Sequence, residues 1–481
     1  MPRIRTISHA MAAAMYLLLT ACAQLPADHG IADVQQLVAQ RSGQQLDAPD
    51  ADTLTLVTEL LAAPLSVDQA VHVALLNNPR VRAEYARLGI AAAEVYDAGR
   101  LSNPRLSVDR LVSDVSGQAD QAGFGLVQSF TDLLLLPARG RLAAGEFERA
   151  KEQAGLALLN LAAEVETAYC ELVGLQQVAS LSRAVASTAQ NSAALAQRFV
   201  DAGNLTASAW AQQSADAAAA ADSAMQAETE VQVARSVLNE VLGLAPATRD
   251  WHTVAELPAP PANDEHAEDL ITLALKSRLD LAAQRREVSL LTDALHTARL
   301  FRYLGTVEVG VLSERQTDRA RLSGPTLSLE LPVFNQGAGK STRAQASLEL
   351  AKSALASLEL AVANQVQMHA QRAAAARSRA EQLRSQLIPA REQAVKRAQQ
   401  DVNYMLEGPF HLLVAKQQTF AAYQAYIEAV RDYWLARVAL GRAVGGRLPP
   451  VAVTTHATAP MTLPTPAALP TDHAQHPGGA Q

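Results

Sequence analysis

Between Arg139 and Ala202 the chain has no proline, and its few glycines lie before residue 175. As one helix, this stretch would extend about 95 Å at about 1.5 Å per residue, more than a compact domain can hold. From residue 158 the small and apolar positions alternate at spacings of three and four: Leu158, Leu161, Val165, Ala168, Leu172, Leu175, Ala179, Ser182, Ala186, Ala189, Ala193, Ala196 and Val200. This is a heptad seam, and its small second half lets backbones approach closely. A second seam runs through Val366, Ala373, Ala376, Ala380, Leu383, Leu387, Ala390 and Ala394, within a helix expected from Lys340 to Glu407 and kinked at Pro389. Hydrophobic residues make up 49% of the chain but aromatics only 4%, so the apolar content is mainly Ala, Leu and Val, suited to helix packing.

The two long helices are copies of one plan. Aligned on itself at a spacing near 200, the chain sets Ala74-Leu75 against Ala274-Leu275 and the run from Gly123 to Phe130 against that from Gly324 to Leu331. Each copy reads helix, strand, loop, strand, long helix, turn, helix. The first repeat spans residues 65–244 and the second 264–447, joined by a Pro-rich linker at 245–263. Residues 22–64 read as a polar, weakly patterned lead-in, and residues 448–481 as a disordered tail rich in Pro, Thr and Ala. The fold class expected is mainly α with a small β part.

The strands carry a second message. Val307, Val309 and Val311 alternate with Thr306, Glu308 and Gly310, and Leu327, Leu329 and Leu331 with Thr326, Ser328 and Glu330. In the first copy Leu106, Val108 and Arg110 share a parity. One apolar and one polar face fit a half-buried sheet or a transmembrane barrel with lipid outside and water inside. Phe130, Phe301, Tyr303 and Phe334 sit at the strand ends away from the connecting loops, as an interfacial girdle would. Four strands cannot close a barrel, and open edges are excluded from lipid, so a spanning sheet requires several copies of the chain.

The N-terminus reads as an address. Arg3 and Arg5 precede an apolar stretch from Ala10 to Leu19, and then Leu19-Thr20-Ala21-Cys22, which resembles a lipobox. Residues 1–21 are the expected lipoprotein signal peptide and Cys22 the lipidated residue. Ala23 after the cysteine points to the outer membrane. Of the chain's two cysteines this leaves Cys170, expected as a small buried hydrophobe. The net charge of -7 argues against nucleic-acid binding. Removing residues 1–21 takes 41 basic residues to 39 against 48 acids, a balance of -9.

Lipobox, duplication, strand pairs and long helix hairpins in this order resemble the TolC family of outer-membrane efflux factors, over residues 65 to about 447. Leu65-Ser-Val-Asp-Gln-Ala70 through Asn78-Pro79 is similar to the family's opening helix, and Leu331-Pro332-Val333-Phe334-Asn335 through Gly337 to its strand-to-helix junction. Arg198-Phe199 through Gly203-Asn204-Leu205-Thr206 and Tyr404 through Gly408 resemble its periplasmic turns. The resemblance implies a homotrimer with a 12-stranded outer-membrane β-barrel and an α-barrel of helix hairpins. It also implies docking of the tips on a periplasmic adaptor driven by an inner-membrane pump. Gly203, Asn204, Leu205, Thr206, Gly408, Pro409 and Phe410 are the candidate docking residues, both glycines being expected to reverse the chain with positive φ. His411 is the gate candidate, since no acid lies between Gly408 and Ala415 where the family often places carboxylates. The form Asn403 through Phe410 is similar to members found with heavy-metal pumps.

Other motifs read as structural. Gly337-Ala-Gly339-Lys340-Ser341 lacks the first glycine of a P-loop, because Phe334 stands there. His456, His473 and His476 in the tail make no defined metal site. No catalytic constellation or cofactor motif is present, so an enzyme is the weakest reading. A passive export duct for small solutes or metal ions leads. A duct for protein secretion and a lipid-anchored periplasmic coiled-coil scaffold are the alternatives.

Overall fold

The computed structural model of the chain describes residues 28–43, 53–114, 118–246, 251–303 and 305–448. The signal peptide, Cys22 and the tail from 449 onward lie outside the described residues. In chain order the elements are α1 (Ile31–Ser42), α2 (Thr53–Ala62), α3 (Val67–Asn77), α4 (Pro79–Ala98), β1 (Arg105–Leu111), β2 (Gln121–Ser129), α5 (Phe130–Asp201) and α6 (Ala207–Leu242). The second half continues with α7 (Ala267–Ser277), α8 (Leu279–Leu300), β3 (Val307–Arg315), β4 (Arg321–Leu329), α9 (Ala338–Gln382), a π turn (Leu383–Leu387), α10 (Ile388–Asn403) and α11 (Pro409–Val444). From α3 and from α7 onward the two halves repeat the same order.

The chain divides into two compact units. One comprises the described parts of Met1–Leu46, Pro79–Leu159 and Leu273–Asn364; the other comprises those of Asp47–Asn78, Asn160–Thr272 and Gln365–Gln481. In the first unit the strands form one antiparallel sheet in the order β1-β2-β3-β4. Its base is pinned by side chains. Thr131 Oγ1 accepts from Val307 N at 2.8 Å, and Thr306 N and Oγ1 both donate to Glu330, at 3.2 and 2.9 Å.

The lead-in is more ordered than its polarity implies. Helix α1 buries Val34 and Val38, one turn apart, and its Asp33 pairs with Lys151 at 2.8 Å. Its apolar residues, Ile31, Val34, Leu37 and Val38, make a stripe of barely two turns, too short to read as a sustained periodicity. The Pro-rich linker, too, is packed. Trp251 is buried, donates from Nε1 to Asn239 at 3.1 Å, and lies under the guanidinium of Arg235 at 4.3 Å. Leu65 N donates to His252 O at 2.7 Å, and Trp434 Nε1 to Pro258 O at 2.7 Å.

Local chemistry sets the helix ends. Ser66 and Gln69 form a reciprocal capping box on α3. Asn78 Nδ2 donates to Val241 O at 2.7 Å and Asn77 Nδ2 to Gly243 O at 2.8 Å, satisfying carbonyls at the end of α6. Helix α5 begins at Phe130, nine residues before the expected start, and carries Pro137 in its second turn. The first seam is as expected: Leu158, Leu161, Val165, Ala168, Leu172, Ala179, Ala186 and Ala196 are buried, and the remaining positions half-buried.

The second seam changes phase. Val366, Ala373 and Ala380 are buried as expected, but Leu387, Ala390 and Ala394 are not; Ile388 and Ala398 are buried instead. Proline has no N–H to donate and its ring clashes with the carbonyl four residues back. The π turn at Leu383–Leu387, directly before Pro389, absorbs the clash by taking in one extra residue. Every later seam position moves one place along the sequence.

Candidate functional site

The first locus is the sheet. Residues in direct cross-strand register share a face. The rows Val108↔Phe124, Leu106↔Leu126↔Val311↔Pro325, Val309↔Leu327 and Val307↔Leu329 therefore build one apolar face across all four strands. Leu106, Val108, Phe124, Leu126, Val309, Val311, Leu327 and Leu329 are all exposed. The parity expected from sequence holds in β1, β3 and β4, and β2 joins it. The strand ends at Leu329, though, so Leu331 lies beyond β4, where Pro332 follows.

The opposite face carries Arg105, Asp109, Gln121, Glu308 and Glu314, with Leu111, Leu312 and Leu322 among them. Arg105 pairs with Glu308, and Gln121 donates to Glu314. Glycines make room for these groups: a Cβ at Gly123 would meet Asp109 Oδ2 at 2.4 Å, and one at Gly125 would meet Ser107 Oγ at 2.5 Å. Beyond the base of the strands Phe130, Tyr303 and Phe334 are exposed, with Leu331 and Val333 beside them; Phe301 is half-buried. The outer edges of β1 and β4 have no partner strand among the described residues.

The second locus is the pair of turns at the ends of the long helices. At the first, Gly203 takes φ of 73°, Gly203 N donates to Val200 O at 2.9 Å and Asn204 N to Phe199 O at 2.8 Å. This is a Schellman stop. Thr206 then caps α6, accepting from Ala209 N at 3.3 Å. The second turn has the same hydrogen bonds on other residues: Met405 N donates to Val402 O at 3.0 Å and Leu406 N to Asp401 O at 2.9 Å. The left-handed residue there is Met405, with φ of 57°.

This corrects the sequence reading of Gly408, whose φ is -77°. Gly408 is the N-cap of α11 and the structural counterpart of Thr206, not of Gly203. The duplication sets Gly203 against Met405. Phe410 and Leu205 are half-buried, while Asn204, Thr206 and His411 are exposed. The exposed apolar group at this tip is Tyr404, Met405 and Leu406, at 77%, 92% and 72% exposure. The sequence reading set Tyr404 through Gly408 in a turn but left Tyr404, Met405 and Leu406 out of the docking residues, because it ran the helix on to Glu407. The signal was Glu407-Gly408-Pro409, which marks the start of the next helix.

Between the turns and the linker, the two hairpins pack together. Leu181 of α5 joins Ile388, Ala422 and Tyr423 in one core cluster. Arg431 of α11 bonds Glu171 at 3.4 Å and Asp432 at 3.1 Å, passing over Gly174, where a Cβ would lie 2.8 Å from its side chain. Cys170 is buried, and burial, then Glu166 and Glu171, push its thiol up to about 12, so it is inert. Among the described residues no group of three metal-ligating side chains exists, and no helix is long and apolar enough to cross a membrane.

No family model and no curated protein matches the sequence. Solved structures do match the fold. The outer membrane protein VceC from Vibrio cholerae is 18% identical with a TM-score of 0.65, over 79% of this chain and 96% of that one. The CmeC outer membrane channel of Campylobacter jejuni is 13% identical with a TM-score of 0.66, over 86% and 91%. The open state of the Neisseria gonorrhoeae MtrE outer membrane channel is 16% identical with a TM-score of 0.63, over 79% and 89%. A duplicated helix, strand-pair and long-hairpin plan, matched over nine-tenths of such chains, makes this the fold of the TolC-type outer-membrane channels.

Proposed function

We propose that the chain is the outer-membrane duct of an export system, passing small solutes or metal ions passively from periplasm to exterior. The observation that carries this reading is the sheet: one exposed apolar face, an opposite face that holds the acidic groups of the strands, and two edges with no partner strand among the described residues. A lone sheet of this kind would expose both backbone edges and a lipid-like surface to water. Three copies joined edge to edge make a closed barrel of twelve strands with lipid outside and water inside. Strands β2, β3 and β4 have nine residues and β1 seven; nine residues extend about 30 Å, which at a tilt of about 40° spans about 23 Å, close to the apolar band of about 25 Å.

In this reading Arg105, Glu308, Gln121 and Glu314 line the pore, and the aromatic residues beyond the strand bases sit at the periplasmic interface. Cys22 carries the lipid anchor. The tips around Gly203 and Met405 dock on a periplasmic adaptor served by an inner-membrane pump, and His411 stands at the mouth. The duct performs no covalent chemistry. The purified protein in a planar bilayer should conduct ions and run as a heat-resistant trimer. Val309→Arg places a charge against lipid at a cost of about 2–4 kcal/mol and should sharply reduce the trimer. Glu308→Gln, on the pore side, should leave trimer yield near wild type. Equal yields, or a trimer that does not conduct, would end the duct reading.

A further inference from the structure

At the loop end of the sheet one register row runs Arg110↔Ala122↔Arg315↔Arg321. It lies on the apolar face, two positions beyond the row that holds Val108 and Phe124. Arg110 is neutralised within the chain, with Nε and Nη2 donating to Asp120 Oδ2 at 3.0 and 2.5 Å. Arg315 and Arg321 are exposed, directly opposite each other, and neither has an ion-pair partner among the described residues. The nearest acids in sequence are otherwise engaged: Glu314 accepts from Gln121 on the opposite face, and Asp318 from Ala320 N at 2.8 Å. The other end of the same face, at Val307↔Leu329, has no charge.

Like charges directly opposite on an antiparallel pair destabilise it. Two guanidinium groups placed so, at the rim of an apolar face, call for a counter-charge from outside the chain. A guanidinium offers a planar fork that matches two oxygens of a phosphate. We propose that Arg315 and Arg321 form a binding site for the phosphate of an anionic phosphorylated lipid in the outer leaflet, whose acyl chains lie along Val311, Val309 and Leu327. The inference rests on the duct reading, since it needs the apolar face to meet lipid. The site's position beside the loops, away from the aromatic end, assigns it to the outward leaflet.

The test uses the full-length protein in detergent, with native mass spectrometry counting retained lipid. The probes are a bis-phosphorylated disaccharide glycolipid, its dephosphorylated form and phosphatidylcholine. Wild type should retain the phosphorylated glycolipid roughly tenfold better than the dephosphorylated one. Arg315→Gln with Arg321→Gln should lose that preference with trimer yield unchanged, and Arg343→Gln, on an exposed face of α9, should keep it. Equal retention of both glycolipids by wild type, or an unchanged preference in the double variant, overturns the proposal. Displacement of the glycolipid by millimolar inorganic phosphate would make this a free-phosphate site and also overturns it. If wild type forms no trimer and does not enter a bilayer, the duct reading fails with it; if it inserts without the preference, only this inference falls.

Discussion

Gly203 and Gly408 look alike in the sequence and answer differently to the same substitution. Neither would bring a Cβ within 4 Å of another group, so space does not separate them. Gly203 has φ of 73°, where an L side chain is strained, and Gly203→Ser should cost about 1 kcal/mol. Gly408 is an uncapped N-cap, where a hydroxyl can accept a backbone N–H as Thr206 does. Gly408→Ser should therefore stabilise by a few tenths of a kcal/mol. Thermal midpoints and hydrogen exchange at the two turns check both signs. Glu166 makes a second residue-level case. Burial first, then the charge of Asp68, push its carboxyl up to about 7, against the pull of Arg447. A raised carboxyl favours the folded state when protonated. Its contribution is full below about pH 4.5 and is lost as pH rises through about 7. Glu166→Gln should leave stability at pH 5 nearly unchanged and raise it at pH 8 by about 1–2 kcal/mol, read as a flatter midpoint-versus-pH curve.

At the scale of the element, Pro389 sets the phase of a helix. An uninterrupted heptad puts Leu387 in the seam. The π turn puts Ile388 there, 5% exposed against 36% for Leu387. Ile388→Asp should cost about 3 kcal/mol and Leu387→Asp less than about 1, measured as shifts in the unfolding midpoint. Equal costs would mean that the stripe runs straight through. The first long helix needs no such adjustment, because Pro137 lies in its second turn, before the seam begins. There the sequence pattern and the buried face agree from Leu158 to Val200. Heptads are readable where the helix repeats unchanged, and mislead by one residue after each inserted one.

For the whole molecule, the tips divide into residues that build the turns and residues that face outward. Leu205 and Phe410 are half-buried, so charging them disturbs the turns themselves. Tyr404 and Leu406 project from the second turn and are the better test of docking. Tyr404→Asp with Leu406→Asp should leave the heat-resistant trimer and membrane fraction intact while abolishing export and crosslinking to an adaptor. Undiminished export by this variant would place the docking surface elsewhere. A resistance profile of a deletion strain across metals and drugs would then name the cargo.

The sequence by itself determined what repeats over short distances. Alternation in β3 and β4 named the apolar face because side chains in a strand point to opposite sides by local geometry. The three-four spacing of the first long helix named its seam for the same reason, and the two copies named each other. Tertiary structure decided what depends on partners distant in the chain. It gave the short stripe of α1 its place, burying Val34 and Val38 completely and setting Asp33 on Lys151 of α5, 118 positions along the chain. It seated Trp251 of the linker on Arg235 and Asn239. It gave the left-handed position of the second turn to Met405, since α10 ends at Asn403 with Tyr404 as its C-cap, not at Glu407. And it set Arg315 opposite Arg321, a pairing that exists only once the register of two strands is chosen.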